Sequence, residues 1–124
     1  MSTKKTDNIV DMEAMAVAED EARDAAYTYV HEFKKPFVYD GNTYEKLTFD
    51  WGTLTGRDGL AIENELQALG KPVIIPTLSG EYLLRMAVRA CDKPVGADAF
   101  ELMSLSDYNR IRSSARSFLL KSEL

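Results

Sequence analysis

The sequence predicts an α+β fold: an N-terminal β-hairpin followed by three to four helices packed as one small domain. Three observations lead there. Residues from Tyr27 to Trp51 are dense in aromatic and β-branched side chains and are interrupted by Asp40-Gly41-Asn42; Asp-Gly between two apolar runs is a strong hairpin signal. Downstream of Thr55, apolar residues recur at helical rather than alternating spacing. Gly70-Lys-Pro72 and Lys93-Pro94-Val95-Gly96 then break that helical pattern into separate pieces.

A chain of 124 residues fits one domain, and its 45% hydrophobic content is enough for a core that needs neither disulfide nor metal. The expected organisation is a flexible acidic leader with helical propensity over residues 1–26 and a single α+β domain over 27–124. Within it the hairpin covers 29–50 and the helices fall near 56–69, 80–92, 97–103 and 106–121. In residues 1–24, Lys4, Lys5 and Arg23 stand against Asp7, Asp11, Glu13, Glu19, Asp20, Glu21 and Asp24, a balance of −4. The net charge of the chain is −5, so the body is nearly neutral. The leader has good helix formers but a thin apolar face, Ile9, Met12 and Ala16, that breaks at Glu19.

In the hairpin, a three-residue loop would set Phe33, Phe37, Tyr39, Leu47 and Phe49 on one face, which favours it over a two-residue loop. Pro36 donates no ladder hydrogen bond, so the first strand should be an edge there. Thr55-Gly-Arg-Asp58 approximates a capping box opening a helix whose inner face is Ile62, Leu66 and Leu69. Gly70 stops it. Residues 71–78 read as extended, either a short strand at Val73-Ile74-Ile75 or a packed connector. Ser79 caps the next helix; its apolar groups surround most of its circumference, so it should be central and buried, with Arg85 and Arg89 on a wet strip and Glu81 paired to Arg85. After a short turn from Ala97, Ser106 is expected to cap the last helix, with Asp107 in its first turn and Tyr108, Ile111, Ala115 and Phe118 as its apolar stripe.

No constellation for catalysis emerges. His31 is the only histidine and Cys91 the only cysteine, so neither a disulfide nor a thiolate metal site can form within the chain. Cys91 sits among apolar residues and reads as a buried small hydrophobe. Gly-x-Ser-x-Gly and the phosphate-loop pattern are absent, and Ser117-x-x-x-Lys121 lies too near the end of the sequence for an enclosing pocket. The expectation is a non-enzymatic binding protein with no catalytic, cofactor-binding or metal residues. An acidic chain without a basic stripe is also a poor nucleic-acid ligand. The start of the sequence does not read as a signal peptide, and no run approaches the ~18 apolar residues of a membrane span. Lone cysteine usage fits a reducing compartment. Arg110, Arg112 and Arg116 are the most basic feature; they read as a solvated face, with docking of an acidic partner, the chain's own leader included, as the alternative.

The order of motifs carries a resemblance. Phe33-Lys-Lys-Pro-Phe37-Val-Tyr39-Asp-Gly41-Asn-Thr-Tyr44 leads into Leu47-Thr-Phe-Asp-Trp51 and Leu54-Thr-Gly-Arg-Asp58. Pro76-Thr-Leu-Ser79, Glu81-Tyr-Leu-Leu84 and Leu105-Ser-Asp107-Tyr-Asn-Arg-Ile111 follow, running to Phe118-Leu-Leu120. Over residues 30–120 this set resembles the Mu-like tail assembly chaperones of long-tailed bacteriophages and prophages. The leader is longer than that family leads one to expect, and Ser106 stands where a basic residue is expected.

The resemblance implies a protein that binds the tape measure protein and keeps it soluble during tail assembly, with the tail tube protein as a further candidate partner and with self-association. It implies the cytoplasm of the bacterial host and absence from the mature virion. It implies no cofactor. From the residues themselves, Tyr108, Phe118, Leu119 and Leu120 are the candidate partner-binding side chains, because three consecutive apolar residues exceed what one helix face buries. A structural or connector protein of the phage particle is the first alternative and a small nucleic-acid-binding regulator the second.

Overall fold

Two antiparallel strands, β1 (Thr28–Tyr39) and β2 (Asn42–Asp50), form a hairpin whose turn is tighter than expected. Asp40 and Gly41 are its two central residues, with φ of 50° and 77°, and Tyr39 pairs directly with Asn42. Positive φ at both positions is the type I′ turn, whose twist matches that of the strands. The three-residue loop is thus corrected: Asn42 belongs to β2. The shared aromatic face arises lower down. Between the pairs Glu32–Lys46 and Phe37–Tyr44, four residues of β1 oppose one of β2. An odd slip exchanges the two faces of a strand. It sets Leu47 and Phe49 opposite His31 and Tyr29, on the face where strand alternation already aligns Tyr29, His31, Phe33, Phe37 and Tyr39 as one file of rings, successive centroids 4.8 to 6.3 Å apart. Pro36 lies inside the slip, where no ladder donor is needed.

The computed structural model describes residues 14–15 and 27–122. The leader expected to be flexible therefore lies outside the described residues, apart from Ala14 and Met15, which are helical.

Four helices follow: α1 (Gly56–Ala68), α2 (Gly80–Ala90), α3 (Ala97–Leu102) and α4 (Leu105–Ser122), giving the expected α+β class. The Asp58 carboxylate accepts from the Thr55 backbone N–H at 2.8 Å, so the start of α1 is the capping box read from sequence. At its other end Gly70, φ 73°, donates to Gln67 O and Lys71 donates to Leu66 O, a Schellman ending that turns Leu69 outward. Leu69 is therefore exposed rather than part of the inner face, which is Ile62 and Leu66. The Ser79 hydroxyl accepts from the Tyr82 N–H at 3.1 Å and caps α2 as expected. The cap of α4 is a correction: Ser104, not Ser106, accepts from the Asp107 N–H at 3.1 Å, and its hydroxyl donates back to the Asp107 carboxylate at 2.7 Å.

Helix α2 lies at the centre, with Tyr82, Leu83, Leu84, Met86, Ala87 and Ala90 buried. It packs against β2, α1 and α4, and Phe49, Trp51 and Phe100 fill the space between. Its wet strip is tied to α1: Arg89 bridges Asp58 at 2.9 Å and Glu65 at 3.0 Å, and Arg85 bridges Glu81 at 2.6 Å. Just past its end, Cys91 bridges Phe49 and Asp92 clasps Thr48 through both its amide and its carboxylate, which covers the outer edge of β2.

Candidate functional site

The residues between α1 and α2 were expected to form a strand or a packed connector. They do neither. Prolines 72 and 76 keep the segment out of any ladder, and a short 3₁₀ turn (Pro76–Leu78) points its apolar side chains outward. Ile74 is 92% exposed and Leu78 72%, with Ile75 also exposed. Immediately alongside, a groove of about 340 Å³ opens between the start of α2 and the start of α4, lined by Gly80, Leu84, Phe100, Met103, Leu105 and Tyr108. Leu105, at its rim, is 71% exposed, and Leu102 is similarly exposed. Ser79 borders the connector and Gly80 borders the groove, so the two form one apolar band from Ile74 to Leu105. Scattered exposed leucines are ordinary, but adjacent ones next to a groove mark an interaction surface.

Two arginines run along this band. Arg116 Nε donates to Thr77 O at 2.9 Å, which pins the connector to α4. One turn earlier, the Arg112 guanidinium lies over the Tyr108 ring, 5.4 Å from its centroid, beside Gly80. Its Nε is buried and has no hydrogen-bond partner among the described residues. Glu81, at the opposite rim, is engaged by Arg85 and Lys71. Against the burial that would raise its pKa, those two cations hold its carboxyl below the usual range.

The four side chains singled out from sequence do not converge. Tyr108 lines the groove just described. Phe118 and Leu119 belong to the other end of α4, ten residues or ~15 Å away along the helix. There they line a narrow slot with Leu54, Ile62 and Met86, and Phe118 meets the Tyr27 ring edge-on at 5.3 Å. Both pack on the core, whereas Leu120 is 49% exposed. Of the band, only Tyr108 stands among the side chains singled out from sequence; Ile74, Ile75, Leu78 and Leu105 do not. The signal was there in Pro72-Val-Ile-Ile-Pro76: prolines at both ends deny those apolar residues a strand, and with it the usual way to bury them.

A second arrangement was not foreseen. His31 is fully buried and hydrogen-bonded on both ring nitrogens: Nε2 to Asp107 Oδ1 at 2.8 Å and Nδ1 to the Tyr29 hydroxyl at 2.8 Å. A carboxylate only accepts, so Nε2 donates to Asp107, while Nδ1 shares its hydrogen bond with the Tyr29 hydroxyl. Desolvation works to raise the Asp107 pKa, yet the Ser104 hydroxyl and His31 hold it below the usual carboxylate range. Burial pushes the Tyr29 phenol upward, so its hydroxyl stays protonated. An acid, a histidine and a hydroxyl in series resemble a nucleophile relay. With no exposed surface at His31 and a phenol that resists ionisation, the relay has no place for a substrate. Its role here is to fasten β1 to the first turn of α4.

Cys91 is half-buried, and desolvation raises its thiol to about 11, which makes it a poor nucleophile at neutral pH. No group of three or more His, Cys, Asp or Glu among the described residues is placed to hold a metal ion. No described helix is long and apolar enough to cross a membrane. The hairpin carries one broad open depression with Lys34, Lys46 and Lys93 on its walls, but Glu32 and Glu45 share those walls.

No protein-family model, curated protein or solved structure matches this chain.

Proposed function

We propose that this protein is a tail assembly chaperone of a bacteriophage or prophage. In this reading it binds the tape measure protein and keeps its long apolar helices soluble until the tail tube forms around them. It acts in the cytoplasm of the bacterial host, self-associates, and is left out of the mature virion. The order of sequence motifs over residues 30–120 supports the family, and the apolar band supports the binding role. That band is the observation that carries the reading. Ile74, Leu78 and Leu105 are spaced along a surface with a groove between them, the form that receives the anchors of an amphipathic helix. Full burial of each aliphatic anchor is worth about 1.5–3 kcal/mol before the costs of association. The docking surface in this reading is the Ile74–Leu105 band, with Tyr108 inside it, while Phe118 and Leu119 serve the core.

The test is co-expression with the product of the longest helical open reading frame in this chain's genomic neighbourhood. Soluble co-elution of the pair, lost in the Ile74→Asp, Leu78→Asp double variant, supports the reading. A client that stays insoluble beside the unaltered protein overturns it and favours a connector of the particle. The nucleic-acid reading gains little from the lysine-lined depression, because Glu32 sits directly across the ladder from Lys46.

A further inference from the structure

We propose that the acidic leader of this chain, residues 1–26, folds back onto the apolar band between Ile74 and Leu105, drawn there by Arg112 and Arg116. It would then cover the client surface when no client is present. The inference rests on the reading of that band as a client surface, and it adds an occupant for it.

The cations define what kind of occupant fits. Arg112 and Arg116 are one helical turn apart on α4 and flank the stretch from Thr77 to Gly80, where the two halves of the band meet. Neither forms an ion pair among the described residues, whereas Arg85 and Arg89, equally prominent in the sequence, are fully engaged by Asp58, Glu65 and Glu81. Arg112 goes further, because its buried Nε has no acceptor among the described residues. A buried donor left unmatched is costly, so an added carboxylate is favoured there. Among the groove's rim acids, Glu81 is neutralised by Arg85 and Lys71, which leaves Glu101 as the one carboxylate opposing an acidic visitor. The band thus calls for a segment with apolar anchors flanked by carboxylates.

The leader has that composition. Ile9, Met12 and Ala16 recur at helical spacing, and Asp7, Asp11, Glu13 and Glu19 stand beside them. Its net charge is −4 against a nearly neutral body. Met15, one of its two described residues, is 61% exposed and so has apolar surface left to bury. Reach is ample. The leader joins the body at Tyr27, whose ring touches Phe118. From Phe118 back to Arg112 is ~9 Å along α4, and the fifteen residues from Tyr27 to Met12 span ~22 Å even as a helix. The basic walls of the hairpin depression are a weaker match, since Glu32 and Glu45 would repel the same segment.

The experiment uses the full chain without client. A nitroxide is placed at Thr6→Cys with Cys91→Ala, and isoleucine and leucine methyl spectra are recorded at low salt. The expected result is selective loss of the Ile74, Ile75, Leu78 and Leu105 methyl signals. Those signals should return in high salt and in the Asp11→Lys, Glu13→Lys variant, whose changes lie in the leader and leave the body untouched. Uniform or absent signal loss overturns the proposal. So does equal loss when the nitroxide sits on one chain and the isotope label on another, because the occupant is then a neighbouring copy. Client capture is scored separately by co-expression of the unaltered chain, so failure of leader docking and failure of the chaperone reading are told apart.

Discussion

Removing the Asp107 carboxylate with Asp107→Ala tests how the hairpin is held to the helices. The carboxylate accepts from His31 Nε2 at 2.8 Å and from the Ser104 hydroxyl at 2.7 Å. His31 is fully buried, so its N–H cannot turn to water once Asp107 is gone. A buried donor left without an acceptor costs about 1–3 kcal/mol. Loss of the Ser104 hydroxyl's bond to the carboxylate and of the negative charge in the first turn of α4 adds ~1 kcal/mol, while the Ser104 cap on the backbone N–H survives. The expected destabilisation is therefore about 2–4 kcal/mol, which for a domain of this size lowers Tm by roughly 10–20 °C. Urea unfolding can be followed by circular dichroism and by the fluorescence of Trp51, which is buried at the hairpin–α4 contact with Nε1 donating to Ser114. Ser104→Ala should cost ~1 kcal/mol and Ser106→Ala should stay within about 0.5 kcal/mol, because only Ser104 is the cap. An Asp107→Ala protein that loses less than ~0.5 kcal/mol, or a Ser106→Ala protein that loses as much as Ser104→Ala, would refute the arrangement.

Acid should weaken the same latch. Asp107, Asp58 and Glu81 all titrate below their ordinary values in the folded state, so the stability they contribute is fully present above the unfolded carboxylate pKa of about 4 and is lost as pH falls through the folded values. A loss of stability as pH falls below about 4 is expected, and Asp107→Ala should flatten that fall. Cys91, with its thiol raised to about 11, should react slowly with a disulfide reagent at pH 8 and quickly in urea, a contrast read by absorbance. Leu120→Asp should leave the unfolding midpoint unchanged to within about 0.5 kcal/mol, whereas Leu83→Ala, in the middle of α2, should cost about 2–5 kcal/mol.

Much of the fold was legible because it is written in local chemistry. Thr55 and Asp58, Ser79, Gly70 and the paired Arg85 and Glu81 are each a short-range rule, and each stands where the sequence put it. The misses have a common cause in choices that local rules leave open. Ser104 and Ser106 are both plausible caps; Ser104 wins because Asp107 is then three residues on, the same spacing as Thr55 to Asp58. The hairpin could reach its aromatic face by a longer loop or by a slip in register, and Asp40-Gly41 has the conformational freedom for the tight turn. Leu69 and Leu105 have apolar side chains at helical spacing yet point outward, because the Schellman ending and the cap place them at helix ends.

The functional features depend on pairings across long separations. His31 is 76 residues from Asp107, and nothing near either residue announces the other. The band joins the Ile74–Leu78 connector to Leu105, which only the packing of α4 beside α2 brings together. Sequence reasoning reached for the apolar end of α4 because three consecutive hydrophobes are conspicuous, but Tyr27, Leu54 and Ile62 receive two of them.

Hydrogen exchange of the protein alone and bound to its tape-measure-like client tests the assignment of the docking surface most directly. Added protection is expected in residues 72–80 and 102–108, with little change over the hairpin residues 37–44. Protection confined to the hairpin, or to the end of α4 around Leu120, would contradict it.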